Sequence, residues 1–180
     1  GPSDAELAKI LTAATTVPDH GKLRPFRFAI ISGDGRLQFG NALAEAAAER
    51  KPGLADSALD AMRAKAQRSP TIVAVISSPK PGKIEPWEQA ATAACAGYAI
   101  TLAAHALGIG AVWKSVPFTR GKGLAELFAL GPSEEMLGWI RTRSRPSNSI
   151  RVVPTPDVSG SPLASTTTPS EPTSASSAGN

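Results

Sequence analysis

Apolar residues recur along this chain in two periods, and the points where one gives way to the other divide it into elements. Leu7, Ile10 and Leu11 form a helical stripe behind Ser3 and Glu6, which have capping-box spacing; a helix is predicted from Asp4 to Thr15. Pro18-Asp19-His20-Gly21 stops it as a loop. Phe26 to Ile31 is β-branched and aromatic and reads as a strand. Ser32-Gly33-Asp34-Gly35 is a turn, with Asp34 placed to cap a helix over Arg36–Arg50, and a shorter helix follows over Ser57–Gln67. Thr71 to Ile76 has no polar alternation and reads as a strand buried on both faces. Three prolines make Ser77–Pro86 a loop.

The longest helical stretch is Trp87–Leu107, rich in alanine and closed by Gly108 as a natural C-cap. At 1.5 Å per residue it spans roughly 30 Å, enough to cross a domain. A strand over Gly110–Ser115, a helix over Thr119–Leu130 and a last strand from Met136 to about Thr142 complete the pattern. The order α-β-α-α-β-α-β-α-β predicts an α/β or α+β sandwich around one sheet. The long helix is too apolar to face solvent, so it is expected to pack the sheet on one side and a twin subunit on the other. After Arg145 the character changes. The last twenty residues hold ten Ser or Thr and three Pro, with Leu163 the one apolar side chain larger than alanine. The expected division is a domain over 1–145 and a disordered Ser/Thr/Pro-rich tail over 146–180.

Composition narrows the function classes. The apolar fraction of 42% allows a packed core, while aromatics make up 5%, so alanine carries much of the packing. Net charge is +4 and the pI about 9.5. The cations are scattered, with no run of five Lys or Arg to track a nucleic-acid backbone. The single cysteine, Cys95, sits between alanines on the long helix and reads as a small buried hydrophobe in a reducing, cytoplasmic setting. No uninterrupted apolar run is long enough to span a membrane. The chemistry-bearing motifs are largely missing. There is no Gly-x-Ser-x-Gly elbow, no P-loop and no Gly-x-Gly-x-x-Gly after the first strand. Neither His20 nor His105 has metal-site spacing to another ligand. With so few acid–base groups, demanding chemistry would have to come from a bound cofactor.

Two segments point to which cofactor. Pro18-Asp19-His20-Gly21-Lys22-Leu23-Arg24-Pro25-Phe26-Arg27-Phe28 resembles the Pro-Asp-His loop and strand of the small single-domain, YdjA-type NAD(P)H nitroreductases. Glu85-Pro86-Trp87-Glu88-Gln89, followed by Ala103 to Ser115 with Trp113-Lys114-Ser115, resembles their central helix and the strand after it. The resemblance covers about Asp4 to Trp139. It implies an α+β nitroreductase-like sandwich with one mixed sheet, a long central helix and a homodimer with two FMN sites at the interface. It implies electron transfer from NAD(P)H to nitro compounds, quinones or similar small acceptors. It assigns His20 and Thr16 to the partner's FMN and Trp113, Lys114 and Ser115 to FMN of their own subunit, with Lys114 the best phosphate contact by charge. It also places a nicotinamide-dinucleotide segment at Ala103–Gly108.

Each residue has a plainer reading beside that one. His20 alone would be a loop histidine bonded to local backbone, Trp113 a core side chain, Lys114 a solvated charge, and His105 a core or interface histidine. Arg24 is equally placed to lie over a flavin or to face solvent. The sequence also departs from the family in two places. The relatives' first helix ends in Arg-Arg-Ser, which holds the FMN phosphate; the sequence here opens after that point, and losing such a contact costs on the order of 1.5–3 kcal/mol. Where relatives continue with Leu-Gly-x-Pro, this chain reads Arg141-Thr142-Arg143-Ser144-Arg145-Pro146. Arg143 and Arg145 are therefore substitute phosphate candidates. These departures keep open a second expectation, a non-catalytic flavin-binding or storage dimer on a degraded nitroreductase scaffold.

Overall fold

The computed structural model describes residues 2–142 and 150–153. Its helices are α1 (Asp4–Ala14), α2 (Gly35–Arg50), α3 (Asp56–Gln67), α4 (Pro86–Ala106) and α5 (Lys122–Phe128). Its strands are β1 (Phe26–Ser32), β2 (Thr71–Ser77), β3 (Ala111–Lys114), β4 (Glu135–Thr142) and β5 (Ile150–Val153). They form one sheet in the order β3-β4-β2-β1-β5. The central strand β2 is buried at every position, as its unbroken apolar run requires.

The sheet separates two cores. Phe26, Phe28 and Ile30 of β1, Val73 and Val75 of β2, and Ile140 of β4 meet α1 and α4 through Ile10, Leu11, Ala93, Ala96 and Ile100. Their neighbours in the pleat, Ala29, Ile31, Ile72, Ala74 and Trp139, meet α2 and α5 through Phe39, Leu43, Leu124 and Phe128. The architecture is thus an α+β sandwich with helices on both faces.

The sheet is antiparallel throughout, not mixed as expected. Two helices, α2 and α3, separate β1 from β2, so the chain returns reversed and the neighbours pair antiparallel. The single helix α4 brings β3 back in the direction of β2. However, β4 lies between those two strands and pairs antiparallel with both. A second correction concerns Asp34: it precedes α2 in helical conformation and its side chain makes no capping bond. The capping box at Ser3 and Glu6 forms, with the Ser3 amide donating to Glu6 and the Glu6 amide to Ser3 Oγ. Helix α5 is shorter than expected; Ala129 closes it in the left-handed conformation.

The domain also continues past the expected limit at residue 145. Ile150–Val153 forms the edge strand β5 on β1, paired Phe28 to Val153 and Ile31 to Ile150. The rest of 146–180, with Arg143 and Arg145, lies outside the described residues. Among the described residues no helix is long and apolar enough to cross a membrane, and no group of three His, Cys, Asp or Glu could hold a metal ion.

One ion pair bolts the first strand to the turn before β4. The Arg27 guanidinium donates to both carboxylate oxygens of Glu134, at 2.9 and 2.6 Å, and to the Phe128 carbonyl at 2.8 Å. Both side chains are largely buried. Arg27 thereby satisfies a carbonyl that the end of α5 leaves open. The Gly131 amide also donates to Glu134, and Arg120 donates to the Gly131 and Glu134 carbonyls. Arg27 beside it holds the Glu134 carboxyl at about 2, against an ordinary 4.5. Such a depression is worth on the order of 3 kcal/mol. The folded-state value lies below the unfolded one, so this stability is complete above pH 4.5 and is lost as the pH falls toward 2. In acid titrations followed by urea unfolding, wild type should lose stability more steeply over that window than Glu134→Gln, whose stability should be lower at neutral pH and flatter below it.

Candidate functional site

The loop 18–24 is held in a conformation that few residues adopt freely. Gly21, Lys22 and Arg24 have φ of +73°, +53° and +47°. For Lys22 and Arg24 this left-handed region is unfavourable, and such positions concentrate at functional sites. Asp19 stabilises the loop: its carboxylate accepts from the Leu23 amide at 3.2 Å and the Arg24 amide at 2.7 Å. The loop is then tied to the start of α4. His20 Nδ1 lies 2.7 Å from the Glu88 carboxylate, and the imidazole stays mostly exposed. That bond occupies Nδ1, so Nε2 is the imidazole nitrogen left for another contact. Neighbouring Gln89 is buried and fastens the loop before α4, accepting from the Lys80 amide and donating to the Lys80 and Ile84 carbonyls. The Trp-Glu-Gln segment therefore anchors two loops at one end of the long helix. Thr16, after α1, is exposed, and its hydroxyl donates to the Ala13 carbonyl at 2.8 Å.

The other candidate residues lie on β3, an edge strand whose outer backbone edge faces no described strand. Trp113 points at α4, where it meets Gly97, and packs against the core cluster that includes Ala93, Ala96 and Ile100. Its ring occupies space that a side chain would otherwise fill. A Cβ on Gly97 would come within 2.0 Å of Trp113 Cζ3, and one on Gly138 within 2.9 Å of Nε1 and 2.6 Å of the Lys114 carbonyl. Trp113 is thus a wedge that seats β3 on α4 and β4. Lys114 alternates to the opposite face, in register with Trp139, and is exposed. Ser115 follows, also exposed. Among the described residues neither the Lys114 ammonium nor the Ser115 hydroxyl has a protein partner.

A single chain does not bring these groups together. Glu88, which holds His20, and Gly97, which holds Trp113, are separated by about 13 Å of helix. The outward side of α4 and the neighbouring edge of β3 are apolar. Trp87, Tyr98 and Leu102 of α4 are 71%, 61% and 52% exposed, and Val112 of β3 is 40% exposed. Cys95 lies on the same outward side and is exposed rather than buried as expected, and so is His105. A shallow cavity of about 410 Å³ opens on this side between α4 and β3, with Tyr98 and Trp113 in its walls. Reasoning from sequence missed Glu88 as the partner of His20, although both stood in the two resembling segments. It also missed Gly97 and Gly138, where an interrupted apolar pattern beside a tryptophan was the available signal.

The arrangement defines a class: an α+β sandwich with an exposed cationic strand end and an exposed loop histidine at opposite places along one apolar helix. The Nitroreductase family profile matches residues 2–142. Two proteins named "Putative NAD(P)H nitroreductase" are similar in sequence. One, YdjA of Escherichia coli (strain K12), is 33% identical over 162 residues, covering 87% of each chain. The other, from Haemophilus influenzae, is 30% identical over 141 residues, covering 77% of this chain and 76% of its own. Among solved structures, a nitroreductase-like protein from Bacillus cereus superposes with a TM-score of 0.63 at 20% identity, over 83% of this chain and 79% of the other. An FMN-dependent nitroreductase from Clostridium difficile R20291 gives 0.57 at 18% identity, over 82% and 80%. The chain belongs to the nitroreductase family of oxidoreductases.

The wedge geometry is directly testable. Gly97→Ala puts a methyl into the indole and should destabilise the fold by about 1–3 kcal/mol, read from urea unfolding. The near-UV dichroism should change with it as Trp113 is displaced. Unchanged stability and spectrum would show that the ring does not sit against Gly97.

Proposed function

We propose that the chain is an FMN-dependent homodimeric oxidoreductase that takes electrons from NAD(P)H and passes them to nitro compounds, quinones or similar small acceptors. The observation that carries this reading is the split site: unpartnered Lys114 and Ser115 at the end of an edge strand, and exposed His20 tethered some distance away along an unpaired apolar helix. Two copies related by a two-fold axis, packed through the outward stripe of α4, would cover Trp87, Tyr98 and Leu102. The same operation would carry His20 and Thr16 of one copy to β3 of the other. Similarity to the FMN-dependent nitroreductase of Clostridium difficile and to the NAD(P)H nitroreductase relatives supports the choice of cofactor and donor.

The residues present fit the group. FMN carries a phosphate and polar ribityl hydroxyls. An exposed ammonium and hydroxyl on β3, without protein partners, are donors of the matching kind. Lys114 would neutralise the phosphate as a point charge, and Ser115 would donate one bond to it. His20, oriented through Nδ1 by Glu88, would present Nε2 to a polar atom of the flavin. Bound FMN supplies the redox chemistry, accepting two electrons and releasing them. The chain's own part is to position the ring, bind the phosphate and exclude water at the covered face. The bidentate Arg27–Glu134 pair and the Trp113 wedge keep both halves of that platform rigid.

Purified protein should be yellow, or take up FMN on titration, and the flavin absorbance should bleach with NADH or NADPH. Lys114→Ala should weaken FMN binding roughly tenfold or more, the scale of a lost charge-assisted bond. A colourless protein that takes up no FMN would sink the proposal. Sedimentation of Leu102→Asp tests the dimer separately: it should be monomeric and should bind FMN poorly, because half of each site would then be missing.

A further inference from the structure

A further cavity, of about 600 Å³, opens between the last turn of α2 and the segment that leads from β3 into α5. Its volume is that of a site for a small organic molecule. Ala46, Val116 and Phe118 give it an apolar part, and Glu49, Arg50 and Arg120 line the rest. Its walls are held in place without a ligand. The Met136 amide donates to the Thr119 carbonyl at 2.9 Å, and Arg120 Nη1 donates to the Gly131 and Glu134 carbonyls. Both carboxylate oxygens of Glu49 lie 3.1 Å from the Lys122 amide. Gly121 closes one end, since a Cβ there would come within 2.4 Å of that of Ala46.

The charges around this cavity are not equivalent. Glu49 is engaged by the Lys122 amide. Arg120 bonds to carbonyls, which accept its protons without neutralising its charge. Arg50, the last residue of α2, is exposed, and among the described residues its guanidinium makes no hydrogen bond or ion pair. A cation in the last turn suits the negative end of the helix dipole, but that role leaves the N–H fork unused. We propose that the cavity binds a small aromatic carboxylate, with the ring against Val116 and Phe118 and the carboxylate on the Arg50 fork. Two guanidiniums and one carboxylate line the cavity, so an anion is favoured there over a cation. The planar fork takes both oxygens of a carboxylate at once. The wall begins at Val116, directly after Ser115. Two sources therefore share this chemistry: an electron acceptor that itself carries a carboxylate, which rests on the flavin reading, or a separate carboxylate ligand, which does not.

Calorimetry on the full chain tests the site, with benzoate, benzamide and benzylamine as probes at constant ionic strength. Benzoate should bind saturably, benzamide roughly tenfold more weakly or worse, and benzylamine not at all. Arg50→Gln should bring benzoate down to the level of benzamide. Arg50→Lys keeps the charge but loses the fork, and should fall between that variant and wild type. Arg63→Gln, in an exposed pair with Asp60, should bind as wild type does. If Arg50→Gln melts lower yet binds benzoate as wild type does, Arg50 serves the helix alone and the assignment is overturned. Benzylamine binding as tightly as benzoate, or no saturable benzoate binding to wild type, would overturn it as well. Reductase assays with 4-nitrobenzoate and 4-nitrobenzamide then separate the sources. A KM raised by Arg50→Gln for the nitrobenzoate alone assigns the carboxylate to the acceptor. Two unchanged KM values, with benzoate binding lost, assign it to a separate ligand. The calorimetry needs no flavin, so its failure leaves the flavin proposal standing, and a colourless protein that binds benzoate leaves this one standing.

Discussion

The position of β3 depends on a single steric fit. Trp113 is seated against two positions that carry no side chain, Gly97 on α4 and Gly138 on β4. A four-residue edge strand has little hydrogen bonding to hold it, since only one flank is paired. The indole compensates with a large buried contact that crosses from sheet to helix. Everything assigned to β3 inherits that placement. Lys114 and Ser115 at its end, and Val112 at its start, are where they are because the strand between them cannot slide. The same wedge gives Trp113 a structural role as the support that holds Lys114 in place.

The long helix completes the frame. Beyond Gln89 and Thr92, its inner face is alanine, glycine and Ile100, small enough for close approach to the sheet and to the wedge. Its first turn fastens the His20 loop through Glu88 and the 80–84 loop through Gln89. Its outer face is apolar and uncovered in one chain. These three roles fall on one element because a 21-residue helix runs about 30 Å. One consequence is that the strained 18–24 loop and β3 are positioned by the same rigid body. Their separation along α4 is therefore fixed by the helix itself.

Much of this was legible in the sequence, for reasons tied to particular residues. Helix and strand periods located α1 to α4 and β1 to β4 within a few residues, because each buries one clear face or, for β2, two. The family was legible from Pro-Asp-His and Trp-Lys-Ser, since a strained loop and a cation-ended strand constrain several consecutive positions at once. Strand pairing was not legible. Whether β3 sits beside β2 or beside β4 depends on where the chain re-enters the sheet, which no local pattern records. Strand β5 was missed because Ile150-Arg151-Val152-Val153 is short and lies in a polar, proline-rich setting. The partners of Arg27 and Arg36 were hidden for the same reason: a charge on a strand or at a helix start looks solvated until distant residues pack over it.

The distribution of arginines separates two uses of charge in this fold. Arg27 and Arg120 sit over open carbonyls and, for Arg27, a carboxylate, so their charge is consumed in holding α5 and β4 together. Arg68 and Arg141 have the same side chain at a comparable sheet end but no acceptor among the described residues. Burial alone does not explain the difference, since Arg27 is also largely buried. What differs is whether an acid was supplied. Glu134 stands 107 residues from Arg27 and is held there by a turn whose own amide binds it. Among the described residues no carboxylate lines the cavity beside Arg141.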